Sequence, residues 1–396
     1  MKKYLCLILI ALAAAGCIYP FDADLGDGDV PDRLVVSGDV LIGEETRITL
    51  GYVAPLGTLP GEMRKNFPTG SVILENDLGQ RFVGARKSTG GVYVIDTRTA
   101  PENARYRLTI SLSDGREYAT PWSGVYQAPV ITDLSYAMDE SNLALLLSLD
   151  GADSLWNFRW DYTETWEYHA WFVPNVMFVP GLPAKDNENP SKIYRIPDPE
   201  EAYDFYYCWN SKDSVEPFLA SAEGQSENRI KDCNFLSMSR GDNRLMTLYS
   251  ILVTVRGISH DGRAYLHHQS VVSNGTGDLF SPTPSEMPGN IRCTSDPSQL
   301  AIGYVEVCKR TSRRIFIGSS GVYQSRFDPE TLLYFPEADE DGNYNYDSIF
   351  VNDSPVMVMD EVPTQTNVKW GPKRCVDCRA WGGSKSKPDW WPNDDK

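Results

Sequence analysis

The fold class is decided by one stretch, residues 156–172, which reads WNFRWDYTETWEYHAWF. Its odd positions from Asn157 to His169 are all polar. Its even positions form a mostly aromatic face: Trp156, Phe158, Trp160, Tyr162, Glu164, Trp166, Tyr168, Ala170 and Phe172. Successive side chains of a β-strand point to opposite faces, so this two-residue period predicts a strand. The aromatic face is either a platform for a sugar or peptide, or a core face. Burial supplies most of an aromatic side chain's stabilisation, which favours the core.

The same two-residue period runs through the region that precedes this strand. It predicts seven short strands, at 34–41, 46–53, 71–75, 82–86, 92–96, 106–112 and 117–120. Asp114-Gly115 is a strong hairpin-turn signal between the last two of these strands. Seven strands in under a hundred residues are typical of an immunoglobulin-like β-sandwich, which we assign to residues 33–125.

Residues 130–396 are assigned to a second, β-rich domain of fibronectin- or immunoglobulin-like type. Strands are expected at 131–138, 143–149, 203–209, 248–258, 300–307 and 313–317, with a turn at 260–262 and one helix over 264–272. A Pro-rich polar insertion occupies residues 174–199. The predicted fold class is therefore mainly β, with an immunoglobulin-like sandwich followed by a β-rich domain with few short helices.

The N-terminus has the layout of a lipoprotein signal peptide. Lys2 and Lys3 precede an apolar run over residues 4–15, and small residues lead to Cys17. The run is too short for a permanent membrane span, so residues 1–16 are expected to be cleaved and Cys17 to carry acyl chains in the lipid bilayer. An ordinary signal peptide is the alternative. Residues 17–32 contain five aspartates and are expected to form an acidic tether.

Composition excludes one class of partner. The chain has 37 Lys and Arg residues against 54 Asp and Glu. The signal peptide contains two lysines and no acid, so the mature chain has 35 − 54 = −19 charges. Because the mature chain is strongly negative, its charge does not attract it to nucleic acid or to anionic lipid.

Six cysteines remain after Cys6 and Cys17 are set aside. An even number in an oxidising compartment predicts structural disulfides, although the sequence cannot select the pairs. The candidates are Cys208, Cys233, Cys293, Cys308, Cys375 and Cys378. The last two form a CxxC pair, for which a half zinc site or a redox pair are the alternatives.

The sequence contains no recognisable catalytic motif. It lacks a Gly-x-Ser-x-Gly, HExxH, phosphate-loop or dinucleotide pattern, and His267-His268 has no companion ligands nearby in sequence. Glu164 and Glu167 are expected on opposite faces of one strand, where they cannot flank one substrate bond. We therefore expect a non-enzymatic protein without a cofactor.

One acidic loop is a weak calcium candidate. Oxygen-bearing side chains alternate at Asp339, Asp341, Asn343, Asn345 and Asp347. Calcium favours such ligands, but Tyr344 and Phe350 occupy positions that should be Gly and Glu in an EF-hand loop. An acidic hairpin tip is the alternative interpretation.

Several phrases resemble a known family. They are Leu34-Val35-Val36-Ser37-Gly38, Tyr207-Cys208-Trp209, Tyr249-Ser250-Ile251, Leu279-Phe280-Ser281-Pro282, Pro288-Gly289-Asn290-Ile291, Ala301-Ile302-Gly303-Tyr304, the CxxC pair, Gly382-Gly383 and Lys387-Pro388-Asp389-Trp390-Trp391. Together they look like an uncharacterised Bacteroidota lipoprotein family, domain of unknown function four-two-four-nine. Cys233, Cys293 and Cys308 depart from its pattern.

The resemblance implies an outer-membrane lipoprotein, encoded in many cases beside a TonB-dependent receptor. The leading functional hypothesis is thus a surface-exposed accessory or ligand-binding partner of a TonB-dependent transporter in nutrient uptake. A free-standing lipoprotein for glycan or peptide binding or adhesion is the second hypothesis, and a structural envelope protein is the third. The resemblance carries no catalytic residue over to this chain.

Overall fold

A computed structural model of the protein describes residues 33–53, 67–87, 90–152, 154–174, 177–178, 194–195, 198, 200, 204–274, 289–325, 327–333, 340, 356–358 and 369–392. These residues form mostly antiparallel sheets, and the mainly β prediction is confirmed. Within this described part, the single α-helix, α1 (His260–Asn274), is too short and too polar to cross a membrane.

Residues 33–120 form most of a β-sandwich. Its first nine strands are β1 (Leu34–Ser37), β2 (Val40–Leu41), β3 (Glu45–Tyr52), β4 (Gly70–Asn76), β5 (Arg81–Val83), β6 (Ala85–Lys87), β7 (Val92–Asp96), β8 (Tyr106–Leu112) and β9 (Glu117–Ala119). One sheet has the order β1-β3-β7-β6, and the other contains β9-β8-β4-β5. Alternate residues of β8 are buried, as the two-residue period predicts.

Two of the predicted strands are each divided by a glycine. The run 34–41 breaks at Gly38, whose φ of +119° is in a region that L side chains rarely adopt. The run 82–86 breaks at Gly84, which separates β5 in one sheet from β6 in the other. Close approach of the Val72 carbonyl oxygen leaves no room for a side chain at Gly84. These breaks let short segments change sheets without a long loop.

The sandwich is completed by a segment from much later in the chain, residues 289–308. Here β19 (Arg292–Cys293) pairs with β9, and β20 (Val307–Cys308) pairs in parallel with β2. Ile291, Val305 and Val307 are buried in the same core as β1 to β9. The sequence assigned this segment to the second domain as a strand over 300–307. The chain boundary at residues 125–130 is therefore not the boundary of the sandwich, because apolar residues 289–308 complete the first core.

The second sandwich packs a three-stranded sheet on a five-stranded sheet. The smaller sheet has the order β10 (Val130–Met138), β11 (Asn142–Asp150), β17 (Arg229–Ser239). The larger has the order β15 (Tyr207–Asp213), β12 (Asn157–His169), β18 (Leu248–Ile258), β21 (Arg310–Gly318), and β16 (Phe218–Ser221) continues the β15 edge of β12. Shorter strands are β13 (Met177–Phe178), β14 (Tyr194–Arg195), β22 (Val356–Val358) and β23 (Lys369–Gly371). Short 3₁₀ helices span Asn243–Leu245, Pro329–Leu332, Lys373–Cys375 and Cys378–Trp381.

The aromatic strand β12 lies at the centre of this second sandwich. Phe158 and Trp160 are buried in its core, and Trp156, Tyr162 and Trp166 pack against the same core. The core interpretation of the aromatic face is thus confirmed. The opposite face is not simply exposed to water, since Thr165 and Glu167 are 1% and 4% exposed. The C-terminal segment covers it, and Trp391 Nε1 donates to Glu167 Oε2 at 3.2 Å.

Two local expectations for the second half of the chain are wrong. The predicted turn at 260–262 is the first turn of α1, because Ser259 Oγ accepts the Gly262 N–H at 2.8 Å and caps the helix. Strand β17 was not predicted at all. It carries no regular alternation of apolar and polar residues, and its pairing with β11 has two register shifts, beside a positive φ at Asp232.

The two sandwiches meet at a buried ionic contact. The Asp39 carboxylate, between β1 and β2, accepts from Arg159 of β12 at 3.1 Å and from Arg256 of β18 at 3.0 Å. Arg256 also contacts Asp161 at 3.2 Å. Buried charges need this kind of pairing, and loss of one partner leaves the others uncompensated. The contact therefore fixes how the first sandwich sits on β12 and β18.

Glu306 forms a second polar contact at this junction. One oxygen, Oε1, accepts from the Ser259 N–H at 2.9 Å and from the Ser259 hydroxyl at 2.6 Å. Burial raises the pKa of the Glu306 carboxyl to about 7, against the hydrogen bonds from Ser259 that favour its charged form. The start of α1 is thus tied to the segment that completes the first sandwich.

Candidate functional site

A cleft of about 600 Å³ opens at one end of the second sandwich. Its walls come from the turn that joins β10 to β11, from residues at the end of β17 and just after it, from Gln324, Ser325 and Phe327, and from the C-terminal segment. These elements are distant in sequence. Loops at the end of a rigid β-sandwich are a usual place for a binding site, since they vary without disturbing the core.

Three aromatic rings line the cleft. The Trp171 ring lies 5.7 Å from the Phe327 ring and 5.5 Å from the Trp381 ring, measured between centroids. The rings are tilted by 51° and 59°, so they do not stack on one another as parallel plates. Phe327 is 47% exposed. The rings therefore retain apolar surface that a bound molecule can cover.

Neutral polar side chains share the cleft with these rings. Ser141, Asn142, Asn243, Gln324 and Ser325 all contribute to the lining. Within the part of the chain that the structure describes, the side-chain amides of Asn243 and Gln324 make no hydrogen bond. An amide offers two donors and one acceptor, so both groups are available to hydroxyl groups of a ligand.

The Arg240 side chain links two walls of the cleft, and its charge is already engaged by hydrogen bonds within the protein. Its guanidinium donates to the carbonyl oxygens of Val322 at 3.0 Å, Gly321 at 2.6 Å and Asp139 at 3.1 Å. These bonds tie the β10–β11 turn to residues 321–322. Because all three guanidinium nitrogens are engaged, Arg240 acts as a brace between two walls. The remaining charged lining residues, Glu140 and Arg374, are exposed and of opposite sign.

A buried ion pair supports the loop that carries Asn243. Arg244 donates to Glu164 Oε1 at 2.6 Å and to Asp242 Oδ2 at 2.8 Å, and the Tyr249 hydroxyl donates to Glu164 Oε1 at 2.8 Å. Burial opposes the charged form of Asp242, but Arg244 outweighs it and holds the pKa of that carboxyl below its usual value. Burial and then the Glu164 charge raise the pKa of Tyr249. Each group is satisfied by its neighbours, which indicates a structural role.

The wall that carries Trp381 is held by the C-terminal segment. A disulfide joins Cys208 of β15 to Cys378, with Cα atoms 5.7 Å apart. The Tyr168 hydroxyl donates to the Cys378 carbonyl oxygen at 2.9 Å, and Trp381 Nε1 donates to the Arg374 carbonyl oxygen at 2.9 Å. The aromatic wall is therefore built on a cross-linked loop.

The other four cysteines carry free thiols in this structure, contrary to their status as disulfide candidates. Cys233 is half-buried, whereas Cys293, Cys308 and Cys375 are buried. Cys293 lies in the first core, Cys233 packs against the second, and Cys375 lies under the C-terminal segment. Cys293, Cys233 and Cys375 thus lie in three different clusters, which keeps these three thiols apart. The CxxC cysteines are not bonded to each other, since Cys378 is paired with Cys208.

The remaining predicted site residues are not brought together at one site among the described residues. Cys17 and the calcium candidates Asp339, Asp341, Asn343, Asn345 and Asp347 lie outside the described residues. His267 and His268 lie on α1, away from the cleft lining. Glu164 faces the core while Glu167 contacts Trp391 on the other face. Among the residues whose positions are described, no three His, Cys, Asp or Glu side chains are grouped to hold a metal ion.

Sequence reasoning missed the cleft residues. Trp171 follows the end of β12 at an odd position, off the aromatic face, and this break in the pattern was the one available signal. Phe327 and Trp381 lie in segments without a regular period. Only the tertiary structure brings these rings together, because they are separated by more than fifty residues in each case.

Comparison with solved structures returns distant likenesses. An Escherichia coli alpha-2-macroglobulin is 11% identical with a TM-score of 0.17, and the match covers 58% of this chain but only 15% of that one. A DUF3823 family protein from Parabacteroides merdae is 9% identical with a TM-score of 0.15, covering 57% and 92% of the two chains. Carbohydrate-binding modules of a β-sandwich superfamily are 7% identical with a TM-score of 0.14, covering 52% and 94%. At such TM-scores none of these likenesses carries an argument about this chain.

No curated protein matches the sequence. A family does match it, over residues 18–314, which is 297 of the 396 residues. The matched range includes both sandwiches up to the middle of β21, the segment 289–308 and the aromatic strand β12. The chain therefore belongs to the family described as Domain of unknown function (DUF4249).

Proposed function

We propose that the protein is a non-enzymatic binding protein whose cleft takes a segment of a carbohydrate. The observation that carries this proposal is the combination of three aromatic rings, Trp171, Phe327 and Trp381, with the amides of Asn243 and Gln324, which make no side-chain hydrogen bond to any described residue. The C–H faces of a sugar ring are apolar and pack on aromatic rings, while its hydroxyl groups exchange hydrogen bonds with amides. A volume of about 600 Å³ is in the range of small-molecule sites.

The charges of the cleft favour a neutral ligand over an ionic one. Arg240 is engaged by backbone carbonyl groups, and the exposed side chains of Glu140 and Arg374 offset each other. Among the described lining residues, Glu140 is the single carboxylate. Glycoside hydrolysis ordinarily uses two carboxylates that flank the bond, so binding without cleavage is the better-supported role.

Affinity gel electrophoresis tests the proposal, with soluble neutral polysaccharides such as laminarin, xyloglucan, mannan and pullulan in the gel. We expect at least one to retard the chain. Phe327→Ala should abolish that retardation, because Phe327 is exposed and its loss leaves the cores intact. Trp390→Ala is the matched control, since Trp390 is 46% exposed and lies outside the cleft lining. Equal loss in both variants, or retardation that survives Phe327→Ala, would contradict the proposal.

We further propose that the protein is lipid-anchored at Cys17 on the outer membrane and faces the cell surface. There it would deliver its ligand to a TonB-dependent transporter. The signal-like sequence before Cys17 and the acidic tether support the lipid anchor, and the transporter is what the sequence resemblance implies. Metabolic labelling with an alkyne fatty acid should label the wild-type chain and not Cys17→Ser. A receptor barrel should co-purify with the tagged chain from outer membranes in mild detergent, and its absence would remove the transporter from the proposal.

A further inference from the structure

The aromatic wall of the cleft is part of a segment with little regular structure of its own. Cys378–Trp381 is a single 3₁₀ turn that begins at the disulfide cysteine and ends at the cleft tryptophan. Gly382 follows with a φ of +84° and ends the turn. Two residues thus separate the cross-link from the ring that lines the cleft, so a movement of Cys378 moves Trp381.

The disulfide attaches this turn to the framework of the second sandwich. Cys208 belongs to β15, and its register partner on β12 is Tyr168. The cross-link joins cysteines 170 residues apart, so it excludes the many open arrangements that a long chain could otherwise adopt. Tyr168 itself binds the Cys378 carbonyl oxygen, at 2.9 Å. The cross-link and the hydrogen bond hold the same residue against the same pair of strands.

Other contacts orient the turn but do not replace the cross-link. The Cys378 N–H donates to the Phe205 carbonyl oxygen at 2.9 Å, and the Arg379 guanidinium lies 3.9 Å from the centre of the Phe205 ring. Asp377 caps the turn by accepting from the Arg379 N–H at 3.0 Å. Further along, Trp209 and Ser384 exchange two backbone hydrogen bonds of 2.8 Å. Trp381 itself packs on the Tyr168 and Trp171 rings, with centroids 6.0 and 5.5 Å away. These non-covalent contacts can open and close, whereas the disulfide attaches the turn to β15 covalently.

We propose that the Cys208–Cys378 disulfide positions Trp381 for binding, so that the affinity of the cleft depends on the oxidised state of this one bond. The proposal rests on the proposed carbohydrate-binding function of the cleft. Cys378 is a positioning residue, since it acts through Trp381 and does not line the cleft. Cys208 and Cys378 lie outside the two large sandwich cores, so breaking the bond leaves those cores in place and removes the covalent restraint on the wall.

The nearby thiol of Cys375 does not substitute for this bond. A bond between Cys375 and Cys378 would join the segment to itself and place no restraint on its distance from β15. Cys375 is also buried, and burial raises the pKa of its thiol to about 11. The thiolate is the attacking species in disulfide exchange, so the protonated thiol is a poor competitor for Cys378. Cys375→Ser is therefore a matched control that removes a neighbouring sulfur and keeps the cross-link.

The experiment compares the wild-type chain, Cys208→Ser/Cys378→Ser and Cys375→Ser, together with wild type treated with TCEP. In that treatment the disulfide gains two electrons and two protons, and the phosphine becomes its oxide with oxygen from water. Affinity is measured for the polysaccharide that binds wild type and not Phe327→Ala. We expect affinity to fall about tenfold or more in the double variant and in the reduced chain, and to stay within about twofold in Cys375→Ser.

Hydrogen exchange measured by mass spectrometry tests, without a ligand, whether the disulfide holds the wall in position. Amides of residues 373–384 should exchange faster once the bond is broken, while those of β18 keep their protection. Unchanged exchange over 373–384, or unchanged affinity despite faster exchange there, overturns the proposal. If no polysaccharide binds wild type, the proposed function fails, and the exchange result alone then decides whether the disulfide positions the wall. If the double variant does not fold, the TCEP-treated chain supplies both readouts.

Discussion

The core of the first sandwich is almost entirely apolar, whereas the second sandwich combines stacked aromatic rings with a buried ion pair. In the first, the largest fully buried side chains are Tyr93, Tyr106 and Tyr118 among many Leu, Ile and Val residues. In the second, the Trp160 ring centroid lies 5.7 Å from that of Phe218 and 6.5 Å from that of Phe235, and the buried Glu164 pairs with the half-buried Arg244. Apolar packing tolerates exchange of similar side chains, but an ion pair requires both partners.

The two sandwiches also differ in how they are closed. Residues 289–308 complete the first through β19 and β20, after the chain has formed β10 to β18 of the second. The second is covered by the C-terminal segment, which the disulfide attaches to β15. The first sandwich therefore depends on contacts that form only when the chain extends to residue 308. The cleft belongs to the second sandwich, whose covering segment is attached by the disulfide. A wall that contacts a ligand benefits from this fixed position.

The largest expected effect follows from the closure of the first sandwich. The isolated fragment 33–129 lacks Ile291, Val305 and Val307, which are 3% exposed in the full chain, and leaves part of its core open to water. We expect it to show no cooperative unfolding transition by circular dichroism, since loss of three buried aliphatic residues removes about 2–5 kcal/mol for each. Addition of a peptide of residues 287–310 should restore the transition. A cooperative transition of the fragment alone would show that residues 289–308 are dispensable.

The next effect tests the polar core of the second sandwich. Glu164→Ala removes the carboxylate that Arg244 and Tyr249 share, and we expect it to lower the free energy of unfolding by about 3–5 kcal/mol in urea titrations. Tyr249→Phe is the control, because it removes one hydrogen bond and should cost about 1 kcal/mol. Equal losses in the two variants would mean that the Arg244 charge is adequately paired by Asp242 alone.

A pH effect is expected at the junction between the sandwiches. The pKa of Glu306 is about 7 in the folded chain and 4.5 for an ordinary glutamate, so the folded state holds the proton more tightly. Its contribution is complete below pH 4.5 and is lost as pH rises through 7, by up to about 3 kcal/mol. Urea titrations from pH 4.5 to 8 should show this loss in wild type, and Glu306→Gln should show a flatter profile. Parallel profiles would assign the pH dependence to other groups.

The smallest expected effect is a change in the free energy of unfolding when either of two tyrosines of the first core loses its hydroxyl. The Tyr106 hydroxyl donates to the Pro101 carbonyl oxygen at 2.5 Å, whereas the Tyr118 hydroxyl lies near Arg116 but makes no hydrogen bond of normal geometry with a described residue. Tyr106→Phe should therefore lower the free energy of unfolding by about 1 kcal/mol, and Tyr118→Phe should leave it unchanged or slightly raise it. Thermal and urea denaturation measure both. A larger loss for Tyr118→Phe than for Tyr106→Phe would reveal a partner of the Tyr118 hydroxyl.

Much of the fold could be predicted from local pattern, but the candidate site could not. The alternation over 156–172 predicts a strand because it depends only on consecutive residues, and Phe158 and Trp160 are indeed in the core. Strand β17 escaped prediction because its register shifts break the period. The cleft escaped because Trp171, Phe327 and Trp381 come from three separate segments without a shared pattern. The cysteine count predicts disulfides, but only distance selects Cys208 with Cys378.

The sequence by itself determined the mainly β class, the central aromatic strand, the sandwich of the first hundred residues and the family. These follow from side-chain periodicity and from phrases of neighbouring residues, which need no knowledge of long-range contacts. Only the tertiary structure decided that residues 289–308 belong to the first sandwich, which two thiols are joined, and where three aromatic rings enclose a cleft. Those outcomes depend on which distant surfaces bury one another, and burial is a property of the whole folded chain.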